Sequence, residues 1–337
     1  MSGQVRAIAP GRVVLIGDHT DYMGGLVLPM AIDVGIEVIA RRGGTQVSMT
    51  SEHFGDTVTL DLPVAHPERT RPQWGRYVAG VVAEFAPAVG LTGVIRSTVP
   101  PGGGLSSSAA LELAVALAIS DESDPLTLAR RCQRAEQTGT GVPCGIMDQL
   151  CSAAGVEGHA LLIDCGTLEF SAIPVPDDIA VWVLDSGEPR RLAESGYATL
   201  RAQAEAAAGL VGPLPVADPD AIEGIADDTL RRRARHVRTE CERVTEFAEA
   251  LRSGDMDAAG GLLTASHRSL RDDAEVSTPT LDALVDAVTA VPGVLGARLT
   301  GAGFGGSVVA LAAPGVDLSA MGAGSRRVRA SGPAHRY

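Results

Sequence analysis

The chain has 337 residues, more than one hydrophobic core usually serves, so we expect two domains with a binding cleft between them. Its formal net charge of −13 argues against nucleic acid or an anionic membrane surface as the main partner, and a hydrophobic fraction of 45% excludes a disordered chain. The sequence contains no lysine, which excludes the phosphate-binding lysine of a P-loop NTPase and the strand lysine of a protein kinase.

Five cysteines are present, and none of them forms a C-x-x-C pair. An odd number without that spacing predicts neither a disulfide framework nor a zinc site. The N-terminal segment lacks the apolar region of a signal peptide, and no apolar run approaches the ~20 residues that span a bilayer. We therefore expect a cytoplasmic protein. We also expect a monomer, although no pattern in the sequence determines the oligomeric state.

The first half of the chain alternates apolar stretches with turn residues, a pattern typical of a mixed α/β domain. It predicts strands at residues 13–16, 26–32, 37–40, 46–50, 92–99 and 160–164. It predicts helices at residues 74–85, 111–119, 126–138 and 146–154. A proline- and aspartate-rich stretch at residues 174–178 then suggests a boundary, so we divide the chain into domains 1–178 and 179–337.

The second half begins with a predicted strand at residues 181–184 and continues with long helical patterns. The predicted helices lie at residues 229–251, 257–270 and 280–291. The arginine-rich part of the first of these helices, around residues 231–238, is most simply a solvated helix face.

A glycine- and serine-rich segment lies between the strand at 92–99 and the following helix. It comprises Gly102, Gly103, Gly104, Leu105, Ser106, Ser107 and Ser108. Glycines let backbone N–H groups approach an anion closely, and the positive end of the helix dipole faces the same point. The segment therefore predicts a phosphate site that needs no lysine, with serines that cap the helix and a hydroxyl from Ser107 or Ser108 for Mg²⁺. The alternative is a capped core helix after a flexible turn.

A second polar segment follows the first predicted strand. Asp18, His19 and Asp21 place three polar side chains in one tight loop between apolar stretches. Such a loop is suited to hydrogen-bonding a polyol. The alternative is a turn whose aspartates bond their own backbone.

A third segment, residues 141–149, is a proline–glycine turn followed by Asp148 at the start of a helix. Phosphoryl transfer often uses an aspartate to accept the proton of the attacking hydroxyl, and Asp148 is a candidate for that role. The alternative is an acidic residue that favours the helix dipole. Upstream, Glu136 lies on a predicted helix, either as a ligand of Mg²⁺ or as a solvated residue.

These three segments, together with residues 266–273 and 298–306, resemble the galactokinase family of the GHMP kinase superfamily. The resemblance runs from about residue 6 to residue 311. It implies a two-domain α/β (α+β) GHMP kinase fold with a ribosomal-protein-S5-like N-terminal domain and a ferredoxin-like C-terminal domain. The active site would lie in the cleft between the two domains.

The resemblance also implies a reaction, in which ATP phosphorylates galactose at its anomeric hydroxyl. Asp148 would be the catalytic aspartate, and Arg12 would keep it ionised and stabilise developing charge. The sugar would be lined by Asp18, His19, Thr20, Asp21, Gly145 and Tyr197. The glycine- and serine-rich segment would hold the phosphates of ATP, and Ser108 and Glu136 would bind Mg²⁺. Trp74 and Tyr77 would lie either near the adenine or in the core.

Some positions depart from the family pattern. Asp18 stands where galactokinases usually carry glutamate, and Leu200 replaces the first of two arginines after Tyr197. These departures leave open a kinase of the same superfamily that acts on N-acetylgalactosamine, another sugar or a cyclitol. A sugar sensor without catalytic activity is a further alternative, although the intact serine segment and Asp148 favour an enzyme.

Overall fold

The first half of the chain is built around its two longest strands, which pair antiparallel. β1 spans Gln4–Ile16 and β2 spans Leu26–Arg42, with Val13 opposite Met30. The computed structural model describes residues 3–100, 103–189, 193–322 and 324–337. Alternate residues at the solvent end of β1 are buried, and its last residues are buried on both faces, so this strand carries the chain from the surface into the core.

One long strand replaces the two short strands that the sequence predicted at residues 26–32 and 37–40. It continues through Gly35, which lies opposite Pro10 where the register of β1 against β2 shifts. A Cβ at Gly35 would overlap the carbonyl oxygen of Ala9, so the strands stay paired here because glycine has no side chain.

Eight strands, counted among the described residues, make up the first sheet. Its main path runs β12-β1-β2-β5-β3-β4, with β6 beside β2 and β7 beside β6. The strands not yet given are β3 (Gln46–Ser51), β4 (Thr57–Asp61), β5 (Leu91–Ser97), β6 (His159–Asp164), β7 (Phe170–Pro174) and β12 (His335–Arg336). β3 pairs parallel with β5, and the other pairs are antiparallel.

Four helices of the first half pack on this sheet or on each other. They are α1 (Gly75–Phe85), α2 (Ser107–Ile119), α3 (Pro125–Thr140) and α4 (Met147–Ala154). All residues of α2 from Ala109 to its end are buried, because the sheet and the other three helices surround it. The predicted helices of this half are confirmed, with ends that differ by a few residues.

The second half forms an antiparallel sheet in the order β11-β8-β10-β9. Its strands are β8 (Ala180–Asp185), β9 (Val294–Thr300), β10 (Ser307–Ala312) and β11 (Arg326–Val328). The helices of this half are α5 (Ala193–Val211), α6 (Pro219–Glu223), α7 (Asp228–Ser253), α8 (Met256–Asp272) and α9 (Pro279–Thr289). The sequence did not predict α5 or α6, because α5 is rich in alanine and shows a weak apolar stripe, and α6 is short.

The arginines of α7 are paired with acids, which corrects the expectation of a plain solvated face. Arg233, which is 7% exposed, bonds Glu275, and Arg235 bonds Glu223 through two nitrogens at 2.7 Å each. These pairs tie α7 to neighbouring segments. No helix among the described residues combines the length and apolarity that crossing a membrane would require.

A buried ion pair fastens the second sheet to the loop that follows β1. Arg298 on β9 is fully buried, and its Nη2 donates to the carboxylate of Asp18. Its Nη1 donates to the carbonyl oxygen of Leu15 at 3.1 Å and lies 3.8 Å from Glu240 on α7. Because breaking such a buried set would leave an uncompensated charge, it holds the loop in one place.

The end of the chain returns to the first sheet. Ala330 bridges to Ile32, and β12 pairs with β1. The predicted domain 179–337 therefore includes a terminal segment that packs on the other half of the molecule. The predicted boundary at residue 178 lies between β7, in the first sheet, and β8, in the second.

We predict that α8 tolerates a methyl group at one of two adjacent glycines only. Gly260 is buried, and its Cβ would overlap the carbonyl oxygen of Leu295, whereas Gly261 faces open space. Gly260→Ala should lower the free energy of unfolding by about 1–3 kcal/mol. The control, Gly261→Ala, should raise it by about 0.5–1 kcal/mol through helix propensity. Denaturant unfolding measures both, and equal effects would contradict the close contact between α8 and β9.

Candidate active site

A cavity of about 320 Å³ lies where the two halves of the molecule meet. All three segments predicted to carry chemistry contribute to its walls, and the second half adds residues 301 and 302. Among the predicted residues, the lining includes Arg12, Asp18, His19, Asp21, Gly104, Leu105, Ser106, Ser107, Ser108, Glu136, Gly145, Asp148 and Tyr197. The structure thus brings together residues that are up to about half the chain apart.

Arg12 and Asp148 form a two-point ion pair on the floor of the cavity. Arg12 donates from Nε to Oδ1 of Asp148 at 2.7 Å and from Nη2 to Oδ2 at 2.6 Å. Burial opposes the charge of Arg12, but Asp148 outweighs it and raises the pKa of the guanidinium. Arg12 is 5% exposed and the side chain of Asp148 is 27% exposed, so the carboxylate is the member that faces the cavity.

The glycine–serine segment is tied directly to this pair. Arg12 donates from Nη1 to the carbonyl oxygen of Gly104 at 2.7 Å, and its backbone N–H donates to Leu105. Ser106 donates its hydroxyl to Oδ2 of Asp148. The backbone of Ser106 is left-handed (φ 53°), and its side chain makes no cap to α2, which corrects the prediction that this serine caps the helix. Its hydroxyl instead links the loop to the carboxylate.

Two of the predicted phosphate-loop glycines differ in what the structure says of them. Gly102 lies outside the described residues. Gly103 is buried away from the cavity lining, and its carbonyl oxygen accepts a hydrogen bond from Ser307 at 2.7 Å. Ser307 begins β10, so this bond fixes the loop to the second sheet.

A cluster of polar and aromatic residues closes the other end of the cavity. A Cβ on Gly145 would overlap Oδ2 of Asp21, so the absence of a side chain there lets the carboxylate turn inward. Tyr197 on α5 lies with its ring centroid 5.2 Å from Tyr22 and 5.9 Å from His19. Carboxylate, imidazole and phenol groups around one space are suited to a ligand with several hydroxyl groups.

Burial sets the protonation of this cluster. Burial, with the charge of Asp148, raises the pKa of Asp21 to about 7. Burial and the nearby His236 lower the pKa of His19 to about 3, so its imidazole is neutral near pH 7. The Nε2 atom of His19 lies 3.2 Å from the carbonyl oxygen of Ala302, which fixes the ring against the second half of the chain.

Asp18 and Thr20, two residues predicted to contact the sugar, lie deeper than expected. Asp18 is 2% exposed, and its oxygens accept from Arg298 and from the N–H of Gly301. Burial raises its pKa to about 6 although Arg298 opposes this. Thr20 does not line the cavity, and its hydroxyl donates to the carbonyl oxygens of Gly17 and Leu26. Thr20 thus shapes the loop.

Beside Asp148 lies a group of oxygen atoms that fits a hard cation. Ser108 and Cys144 hydrogen-bond the carboxylate of Glu136, which is 9% exposed and lines the cavity. Burial and the charge of Asp148 raise the pKa of Glu136 to about 7. Among the described residues, no group of three or more histidines, cysteines or acids is arranged to hold a metal alone. One carboxylate and one hydroxyl match Mg²⁺, which completes its shell with water and phosphate oxygens.

Several residues of the site were not found from the sequence. Gln149 lines the cavity and donates to Glu136 at 2.6 Å and to Glu112 at 3.1 Å. Burial and Glu136 raise the pKa of Glu112 well above its ordinary range. A single acid in the long apolar stretch of α2 is a signal that sequence alone could have provided. For Gln149 the sequence carries no such signal.

Three further positions have distinct surroundings. Tyr77 lines the cavity, whereas Trp74 donates to Asp56 at 2.7 Å outside it. Leu200, which departs from the family pattern, is buried in the core of the second half. The retained Arg201 donates to the carbonyl oxygen of Pro143 at 2.9 Å and so braces the turn before Gly145.

A phosphate-type loop without lysine, joined to an arginine–carboxylate pair between two α/β halves, defines a small-molecule kinase of the GHMP class. The family model for the GHMP kinases N terminal domain matches residues 76–156, and the GHMP kinases C terminal model matches residues 247–323. These matches confirm the predicted fold class. The model of the galactokinase galactose-binding signature matches residues 2–42.

Known proteins place the chain more narrowly. It is 44% identical to human galactokinase over 322 residues, which cover 90% of this chain and 82% of that protein. It is also 44% identical to the galactokinase of Chloroflexus aurantiacus over 329 residues, covering 91% and 83%. The crystal structure of Lactococcus lactis galactokinase complexed with galactose superposes with a TM-score of 0.92 at 32% identity, covering 98% of this chain and 95% of that one. The chain belongs to the galactokinase family.

A more distant likeness concerns the fold alone. A mevalonate kinase structure superposes with a TM-score of 0.69 at 19% identity, covering 96% of this chain and 98% of that one. Membership of the galactokinase family makes the protein a phosphotransferase that acts on a sugar hydroxyl, and GHMP kinases use ATP as the phosphate donor. The predicted enzyme class is therefore confirmed.

We predict that Asp21 makes stability depend on pH. Its pKa rises from 3.8 in the unfolded reference to about 7, so the folded protein holds a proton that the unfolded chain has released over this range. Stability should therefore fall as pH rises through that window. Asp21→Asn should remove this effect, and its gain in unfolding free energy should be larger at pH 8 than at pH 5 by about 1–2 kcal/mol, allowing for partial exposure.

Denaturant unfolding at the two pH values measures the difference. The matched control is Asp227→Asn, at the exposed N-cap of α7, where asparagine caps a helix as well as aspartate. An Asp21→Asn gain that is the same at pH 5 and pH 8 would contradict the raised pKa.

Proposed function

We propose that the protein transfers the γ-phosphoryl group of ATP to the anomeric hydroxyl of galactose, giving galactose 1-phosphate and ADP. The observation that carries this proposal is the Arg12–Asp148 pair, which lies between the serine loop and the polyol-like cluster around Asp21. Phosphoryl transfer requires little covalent chemistry from the protein, so positioning and charge compensation at this junction are the main requirements.

We assign Asp148 as the proton acceptor. A carboxylate has about four lone-pair positions, and three are taken by donors from Arg12 and Ser106. Two of these donors reach Oδ2 and one reaches Oδ1, so the remaining position is on Oδ1. The sugar hydroxyl would donate there. Its proton moves to Asp148 while its oxygen forms a bond to the γ-phosphorus, and the bond from that phosphorus to the bridging oxygen of ADP breaks.

Arg12 has two roles in this proposal. Its two-point contact orients the carboxylate so that Oδ1 presents its free lone pair, and its charge balances the carboxylate before the proton arrives. Its third contact, to Gly104, sets the distance between the base and the phosphate loop. One buried cation thus aligns acceptor and donor sites together.

Magnesium fits the hydroxyl of Ser108 and the carboxylate of Glu136, which are already in contact. When bound with ATP, the ion would neutralise charge on the phosphate oxygens. The protein's own contribution is to keep Glu136 at the cavity wall, while the N–H groups at the start of α2 face the phosphates. Tyr77 would border the adenine end of the same cavity.

Galactose is the sugar that the comparisons favour. The galactose-binding signature covers residues 2–42, and the Lactococcus lactis enzyme that superposes closely was crystallised with galactose. We assign His19, Asp21, Gly145 and Tyr197 to the sugar pocket, with Asp18 at its edge. Because Asp18 is engaged by Arg298, a sugar altered at the position nearest Asp18 is the main alternative substrate, and a cyclitol or an aminosugar remains within the same proposal test.

We predict that Asp148→Asn lowers kcat by on the order of 10²–10⁴, because it removes the proton acceptor while keeping the shape. The affinity for ATP should change little. Asp124→Asn, at the exposed N-cap of α3 and outside the cavity lining, is the matched control and should keep kcat. A kcat of Asp148→Asn within a few-fold of the unmodified enzyme would show that Asp148 only begins a helix.

We also predict that galactose is phosphorylated at C1. Coupled release of ADP should be measured across hexoses, aminosugars and cyclitols, and the product position should be assigned by ³¹P–¹H NMR. Galactose should give the highest kcat/KM of the panel. Robust turnover of another polyol without turnover of galactose would move the substrate to that class, and sugar binding without any ADP release would indicate a sensor.

A further inference from the structure

A chain of three buried side chains runs from the core to the cavity wall. Glu112 on α2 and Gln149 on α4 are each 0% exposed, and Glu136 on α3 is 9% exposed. Gln149 donates from the same nitrogen to Glu112 Oε2 at 3.1 Å and to Glu136 Oε2 at 2.6 Å. The two hydrogens of one amide group thus connect two acids from different helices.

Glu112 is unexpected where it stands. It is surrounded by apolar residues on a helix that is buried from Ala109 to its end, and its Oε1 atom has no hydrogen-bond partner among the described residues. The Oε1 atom of Gln149 is unpartnered in the same part of the structure. Burying polar atoms without partners is costly, so packing alone would favour an apolar residue at both positions. Such a departure from core packing is typical of residues kept for function.

We propose that Glu112 and Gln149 are positioning residues that hold Glu136 in the orientation needed to bind Mg²⁺. This inference rests on the proposed function of Glu136 and Ser108. The amide of Gln149 holds one oxygen of Glu136, and Glu112 fixes the amide by accepting its other hydrogen. The other oxygen of Glu136 then remains available at the cavity wall beside Ser108.

The amide alone is not sufficient for this task. A glutamine side chain can rotate its amide end by a half turn, which would replace the N–H donor with the carbonyl oxygen. In that orientation oxygen would face oxygen at both Glu112 and Glu136. The acceptor on Glu112 disfavours this flip, so the acid in α2 selects the amide orientation that keeps Glu136 in place. Partners beyond the metal ligands commonly act in this way.

Glu112→Met and Glu112→Gln separate this role from packing. Methionine has a similar volume and suits an apolar core but provides no acceptor, whereas glutamine keeps a carbonyl oxygen for Gln149. The affinity for the ATP analogue AMP-PNP should be measured by calorimetry with saturating MgCl₂ and again with EDTA. Glu112→Met should weaken the affinity measured with Mg²⁺ by about tenfold and leave the affinity in EDTA within about twofold.

Glu112→Gln should restore the affinity with Mg²⁺ to within about threefold of the unmodified protein. The melting temperature of Glu112→Met should be equal or higher, because an unpartnered buried oxygen is removed. Gln149→Met should show the same loss with Mg²⁺, and the double variant should show no larger loss than either single one, since all act through Glu136.

Glu136→Gln is the reference that tests the metal site itself. If it leaves the gain from Mg²⁺ unchanged, the proposed metal site is wrong. If Glu136→Gln removes the gain while Glu112→Met keeps it, the metal site stands and the positioning role is overturned. Equal losses for Glu112→Met with Mg²⁺ and with EDTA would also overturn it, because they would indicate a general disturbance of α2.

Discussion

The buried charge of Arg12 is the constraint on which the rest of the site depends. A guanidinium that is 5% exposed must be compensated, and Asp148 does so through two hydrogen bonds. The remaining donors of Arg12 reach the backbone of the glycine–serine loop, to which Ser106 adds a bond from the loop to Asp148. Base, cation and phosphate loop therefore form one rigid unit, which preorganises the cavity for phosphoryl transfer without a lysine.

Acidic groups surround this unit at some cost in stability. Burial and Asp148 raise the pKa of both Asp21 and Glu136 to about 7, so the folded protein opposes their ionisation. A sugar with several hydroxyl groups and a metal–nucleotide complex are ligands that would stabilise these groups. The free energy that folding does not recover from these acids is thus available for binding.

The second half of the molecule holds the sugar end of the cavity through a separate ionic cluster. Arg298 bonds Asp18, and Glu240 accepts from the N–H of Gly17 at 3.0 Å, so both contacts act on the same loop. His19 reaches Ala302 from that loop. The departure from glutamate at Asp18 therefore changes a contact between the two halves as well as the edge of the sugar pocket. Substrate preference and the packing of the halves are coupled at this residue.

The sequence by itself determined the features that adjacent residues control. These are the glycine–serine turn before a helix, Asp148 in a first helical turn, and most of the strands and helices, while α5 and α6 lacked a clear apolar pattern. Only the tertiary structure decided which partner each polar side chain takes. Arg12 meets Asp148 across 136 positions of sequence, Ser106 bonds that carboxylate instead of capping its helix, and Asp18 turns to Arg298. The physical reason is that a buried polar group bonds whichever partner the packing of distant segments brings within about 3 Å, and local sequence does not encode that distance.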